Sequence, residues 1–180
     1  MNAKSIRRRK LFFSWQDEKQ EAWLGEMSRQ GLHLRQPGSF GNFLFVEGPG
    51  KDTAYRLDYN QGKAPEDYLQ LIRDAGWEYL GTRGGWQYWR KEIKEGEVPE
   101  IYTDPASKIQ KYQRLLAGYV TSAPALYVVG LAIFKKYPGL HPSWFVVLYI
   151  TLFMSWILFA AINAGMILMR INALKKQVST

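Results

Sequence analysis

The sequence contains no cysteine, and between Leu115 and Met169 it has no charged side chain other than Lys135 and Lys136. The first absence removes disulfides, thiolate nucleophiles and sulfur-ligated metals together, and it suits a chain that never meets an oxidising compartment. The second excludes an ordinary soluble surface over these 55 residues, because water-facing positions need charge and lipid-facing positions exclude it. Acidic residues are confined to the N-terminal part. Residues 1–114 hold all sixteen Asp and Glu and nineteen of the twenty-four Lys and Arg, a net +3, and the remainder nets +5. Arg7-Arg8-Arg9-Lys10 is followed only by Leu11-Phe12-Phe13 before polar residues resume, too short an apolar core for a signal peptide. No cleaved targeting segment is expected.

What the uncharged region does hold is two runs of membrane-spanning length. Residues 115–134 are twenty positions without a formal charge, enough at about 1.5 Å per residue to cross a hydrocarbon core of about 30 Å. Residues 143–169 are long enough to span with tilt. Between them, residues 135–142 carry the Pro and Gly that stop one helix and start the next, so the pair reads as a hairpin. Lys108, Lys111 and Arg114 before the first run and Arg170, Lys175 and Lys176 after the second outnumber the two loop lysines, which places both termini in the cytoplasm and the loop outside. Small residues Gly118 and Ser122, and Ala160 with Ala164, have the spacing that lets helices approach closely. Thr121 and Asn163 lie at equal depth, which predicts an interhelical hydrogen bond worth about 1 kcal/mol. Asn163 facing a pore is the alternative, and it lacks an intramembrane acid or base to support it. Pro124 predicts a kink with Thr121 satisfying freed backbone groups, and Tyr112, Tyr137 and Trp144 sit where interfacial aromatics belong.

The charged N-terminal part repeats itself. An offset of 45 residues aligns Trp23, Leu24, Met27, Gly31, Leu32 and Leu34 with Tyr68, Leu69, Ile72, Gly76, Trp77 and Tyr79, and carries Phe43 onto Tyr88. In each copy an acidic helix start leads to a glycine that ends the helix in a left-handed cap and then to an alternating strand. The helices fall at 17–30 and 65–75, with strands at 11–14 and 53–59 before them and at 32–36, 43–46, 78–81 and 86–90 after. The unit is strand, helix, strand, strand, twice. Its expected fold is α+β: a ferredoxin-like antiparallel sheet with two helices, followed by the two-helix transmembrane hairpin. In order, the chain divides into a basic tail (1–10), the duplicated domain (11–93), a linker and juxtamembrane helix (94–114), the first span (115–134), the loop (135–142), the second span (143–169) and a C-terminal tail (170–180). Asp104-Pro105 marks a helix cap with Pro at the first helical position, and Ile109, Tyr112 and Leu116 share a face. One helix running from about Pro105 into the membrane is expected.

The residue strings Phe13-Ser14-Trp15, Tyr55-Arg56-Leu57-Asp58-Tyr59, Asp74-Ala75-Gly76-Trp77-Glu78-Tyr79 and Gly84-Gly85-Trp86-Gln87-Tyr88-Trp89-Arg90-Lys91, with Ile101-Tyr102-Thr103-Asp104, resemble the bacterial domain of unknown function 2812 family over about residues 10–112. The resemblance implies a bacterial plasma-membrane protein, of a kind common in Gram-positive bacteria and often neighbouring PadR-type regulators. It carries over no catalytic residue. The repeated strand-helix-strand-strand order is also similar to the paired modules of GyrI-like effector-binding domains, which hold small molecules in a groove between copies; that likeness is one of fold, and fold does not fix function.

Catalytic and cofactor signatures are absent. His33 and His141 fall on opposite sides of the expected membrane, and there is no His-Glu-x-x-His, phosphate loop or nucleophile elbow. Gly81-Thr82-Arg83-Gly84-Gly85 lacks the lysine of a phosphate loop and reads as a hairpin turn. Neither an enzyme nor a cofactor is expected. Strands such as Trp86-Gln87-Tyr88-Trp89 are apolar on both sides, so something besides the two helices should cover the sheet: a second subunit, a ligand, another protein or lipid. The surface expected to meet that partner comprises Trp15, Tyr55, Asp58, Trp86, Tyr88 and Trp89. For Asp58, pairing with Arg56 or Arg90 is weighed against a ligand role. The tract Arg7 to Lys10 lacks a nucleic-acid motif, so contact with anionic lipid headgroups is preferred over nucleic acid. These features point to a non-enzymatic membrane protein whose cytoplasmic domain binds another protein, a second copy or an apolar ligand, in an envelope or stress response. The alternatives are an effector sensor in which Asp58 or Glu78 meets a cationic ligand in the groove, and a small transporter or pore component.

Overall fold

The computed structural model describes residues 5–62, 64–94, 98–102, 104–136 and 143–178. Residues 1–111 and 112–180 form two compact units. The first runs β1 (Ser5–Arg9), α1 (Asp17–Arg29), β2 (Leu32–Pro37), β3 (Asn42–Glu47), β4 (Thr53–Tyr59), α2 (Glu66–Asp74), β5 (Glu78–Arg83) and β6 (Trp86–Glu92), and it ends in the opening turns of α3 (Pro105–Lys136). A 3₁₀ turn, Ser39–Gly41, joins β2 to β3.

The two helices form where acidic residues lead and a basic one trails: Asp17 and Glu18 open α1 and Arg29 closes it, while Glu66 and Asp67 open α2 and Arg73 closes it. Each arrangement complements the helix dipole. Gly31 and Gly76 then turn the chain with φ of 80° and 83°. At Gly31 a side chain is excluded twice over, because a Cβ would also lie 2.5 Å from the Gly48 carbonyl oxygen.

Each half closes its own antiparallel sheet, with the strand orders β1-β3-β2 and β4-β6-β5. The strands expected to share one ferredoxin-like sheet therefore pair as two three-stranded sheets. A reason lies in β2 and β5, the edges that come near each other. Arg35 interrupts the register of β2 with β3 between Leu34 and Gln36, and Leu80 interrupts β5 with β6 between Tyr79 and Gly81. Such bulges bend an edge strand and discourage further pairing.

The first strand is also displaced from its expected place. Residues 11–14 are not a strand, and β1 lies within the stretch read as a basic tail, with Ile6 opposite Phe45 and Arg8 opposite Phe43. Only Ile6 of β1 is partly buried. Its three consecutive arginines put charge on both sides of an edge strand, a pattern that resembles a solvated tail when read along the chain. After it, Phe12 turns inward, its ring centre 5.6 Å from that of Trp23, while Leu11 and Phe13 stay exposed.

Two apolar clusters fill the unit. Leu24 of α1, Leu34, Phe43 and Phe45 of the first sheet and Tyr55, Leu57 and Tyr88 of the second make one. Ala54, Ala64, Leu69, Ile72, Trp77 and Trp89 make the other, on the α2 side. The second sheet is thus covered on both faces from within the unit, by α2 on one side and by α1 with the first sheet on the other.

The second unit consists of α3 from Tyr112 onward and α4 (Ser143–Val178). Both helices are long and apolar enough to cross a membrane by length and composition. Val120, Trp144, Val147, Leu158 and Met169 are among the large apolar side chains they expose. Asp104 caps α3, accepting from the Ser107 backbone N–H at 2.8 Å, and Pro105 is the first helical residue. Gly118, Ser122, Ala160 and Ala164 are half-buried. Thr121 donates to the carbonyls of Ala117 and Gly118, and buried Asn163 donates to that of Phe159. The close approach the sequence did not mark is at Gly130. Tyr149 of α4 donates to the Leu126 carbonyl at 3.1 Å, and a Cβ on Gly130 would lie 1.9 Å from its hydroxyl oxygen. Tyr137 and His141, with the rest of 137–142, lie outside the described residues.

Candidate functional site

The aromatic residues expected to form one exposed face are divided among different places. Tyr55 and Tyr88 are buried in the first cluster and Trp89 in the second, where its ring centre is 4.9 Å from that of Tyr79 and its Nε1 has no hydrogen-bond partner among the described residues. Tyr88 accepts a hydrogen bond from Gln20 of α1 at 2.8 Å. Trp15 is half-buried and stacks on Phe13, and Trp86 is half-buried in a T-shaped pair with Tyr59. The cover that these apolar strands required is supplied by the opposing sheet and the two helices.

Asp58 is fully buried on the α2 side of β4. The hydroxyls of Tyr68, at 2.7 Å, and Tyr102 both donate to it, and Asn60 Nδ2 lies at 3.4 Å. Burial first, and then the Asp58 charge, pushes the Tyr102 hydroxyl far above its usual range, so it remains a donor. The arginines expected beside Asp58 reach other acids: Arg56 bonds Glu100 at 2.7 Å and approaches Glu21 at 3.7 Å, and Arg90 grips Glu78 through Nε and Nη2 at 2.7 Å each. The same Arg90 donates through Nη1 to the Leu34 carbonyl at 3.2 Å, tying the second sheet to the first.

A group of charges that sequence spacing did not reveal lies where α1, β4 and the start of α3 meet. Lys111 Nζ is 2.6 Å from Asp17 Oδ2, with the two side chains 7% and 0% exposed. It also donates to the Leu57 carbonyl at 3.3 Å and sits 5.9 Å from the ring centres of both Trp86 and Tyr102. Glu21 accepts the Leu57 N–H at 2.8 Å. Its carboxyl is pushed up to about 7 by burial, against the pull of Lys111. Ninety-four residues separate Asp17 from Lys111, and no local pattern announces such a pair.

A cavity of about 260 Å³ is lined by Phe12, Phe43, Trp86 and Tyr88 among others, and a larger open feature of the unit is the groove between β2 and β5. Arg35 and Leu80, the two bulged residues, line both of its cavities. One, of about 600 Å³, is bordered by His33, Lys51, Glu78, Arg90 and Glu92, a mixture of signs. The other, of about 590 Å³, is bordered by Arg7, Arg35 and Arg83 over Pro37, Phe43 and Leu80. Both volumes are within the range of small-molecule sites. Asp58 does not line either cavity. Among the described residues no group of His, Asp and Glu is arranged to hold a metal ion.

No curated protein and no solved structure matches the chain. A family model does, over residues 16–123, which take in α1 through the first half of α3. The chain belongs to the family described as protein of unknown function (DUF2812).

Proposed function

We propose that this chain is a multi-pass protein of the bacterial plasma membrane, with both termini cytoplasmic, whose N-terminal unit senses a small molecule in the groove between two copies of one strand-helix-strand-strand module. It binds its ligand without turning it over. The duplication is supported by identical strand orders, by cap glycines at 31 and 76, and by bulges at 35 and 80, each pair 45 residues apart. The observation that carries the sensing reading is the groove itself. Tyr55 and Trp89 are buried in the core, whereas here two sheet edges meet without pairing beside cavities of about 600 and 590 Å³. The route by which occupancy could be reported is also supported: α3 begins in the sensing unit, held there by the buried Lys111–Asp17 pair, and the same helix carries the first apolar span.

The test is a ligand screen on the full chain in nanodiscs, read as a rise in unfolding temperature, with Leu80→Trp as the filled-groove control. A compound that stabilises the natural chain and not the variant supports the reading. A screen in which every stabilising compound acts equally on the variant removes it.

A further inference from the structure

We infer that the groove takes an anion bearing two or more phosphate-like charges, a proposal that rests on the groove being the ligand site. Three arginines line one cavity of about 590 Å³: Arg7 from β1, Arg35 from the bulge of β2 and Arg83 from the end of β5. They come from both halves of the unit. No carboxylate lines this cavity among the described residues. Arg29, Arg56, Arg73 and Arg90 each hold a carboxylate, whereas the side chains of Arg7, Arg35 and Arg83, like those of Arg8 and Arg9 outside the cavity, have no hydrogen-bond or ion-pair partner among the described residues.

Three like charges around one concavity repel one another, and an anion between them relieves that repulsion while receiving forked N–H donors whose geometry suits phosphate. Thr82, Gln36 and Asn42 add neutral polar groups at the rim, and Pro37, Phe43 and Leu80 give an apolar floor. An oligophosphate with a small organic body would use all three kinds of wall. The neighbouring cavity has Glu78 and Glu92 in its lining, so the preference for anions belongs to the arginine end. This reverses the sign expected of a groove ligand from the sequence, where Glu78 was to meet a cation; Glu78 is engaged by Arg90.

Titration calorimetry of the full chain in phosphatidylcholine nanodiscs, with tripolyphosphate as the probe, tests the proposal. Saturable binding is expected, weakened about tenfold by Arg35→Ala and by Arg83→Ala, each the loss of a charge-assisted contact. Arg8→Ala, on the same strand as Arg7 but outside the lining, should leave affinity within about twofold. Equal loss in Arg8→Ala would make the effect diffuse surface charge and overturn the site. Arg35→Gln, similar in size without the charge, must fall with Arg35→Ala, or packing and not charge is responsible. Competition by cardiolipin in the discs, whose headgroup carries two phosphates, would identify a lipid as the phosphate source, and unchanged affinity would identify a soluble one. If tripolyphosphate fails while a neutral or cationic compound binds and is lost in Leu80→Trp, the anion proposal falls and the sensing function stands. If nothing binds the groove, both fall.

Discussion

Replacing Glu21 by Gln should make the N-terminal unit more stable at pH 8 and leave it little changed at pH 4.5. The carboxyl lies between α1 and β4, 11% exposed, hydrogen-bonded by the Leu57 N–H and 3.7 Å from Arg56. Burial raises its pKa from 4.5 to about 7, with Lys111 and Arg56 opposing and Asp17 adding to the rise. The folded protein therefore binds this proton more tightly than the unfolded chain does. Stability from the group is full below pH 4.5, declines as pH rises toward 7 and levels off above it. At about 1.4 kcal/mol per pH unit, the interval corresponds to about 3 kcal/mol. Gln keeps the acceptor for Leu57 and never ionises, so the variant should gain up to that amount at pH 8. Denaturant unfolding in detergent, followed by tryptophan emission at several pH values, measures both curves. A variant less stable than the natural protein at pH 8, or one with the same pH slope, would show that the carboxylate is ionised and adequately paired in the folded state.

Lys111→Met leaves Asp17 buried without its ammonium partner and should cost about 3–5 kcal/mol in the same assay, much of it recovered by adding Asp17→Asn. Gly130→Ala places a methyl group 1.9 Å from the Tyr149 hydroxyl oxygen; it should lower the thermal stability of the helical unit by about 1–3 kcal/mol, with Tyr149→Leu relieving the loss. The cysteine-free background permits a direct topology test: a cysteine at Gly139 should react with an impermeant maleimide in intact cells, and one at exposed Glu47 only after permeabilisation.

Periodicity and turn residues were enough to place α1, α2 and β2 to β6 within a few residues, because each is announced locally. Acidic starts mark the helices, Gly31 and Gly76 end them, and β-branched and aromatic residues alternate after them. The two long apolar helices were legible for the same reason. Strand partnership was not, since it depends on residues far apart: the bulges at Arg35 and Leu80 look like ordinary strand positions until their partners in β3 and β6 are known. Tyr55, Tyr88 and Trp89 were expected on a surface that meets a partner, and they are buried instead, because composition does not say that the excess apolar surface of such strands is met by a second sheet. The triple arginine of β1 was hidden by its own charge. Lys111 offered no cue at all, as a lysine beside an apolar helix reads as a membrane flank, and its burial against Asp17 arises only from the tertiary fold.

The charged strand β1 has a consequence for how copies of this protein behave toward one another. Its free edge is a row of backbone donors and acceptors that another chain could extend, and proteins confined to a bilayer collide with their own kind far more often than the same molecules would in solution. Arg8 and Arg9, exposed on that strand, would meet any identical strand with the same sign of charge, which disfavours edge-to-edge pairing of copies.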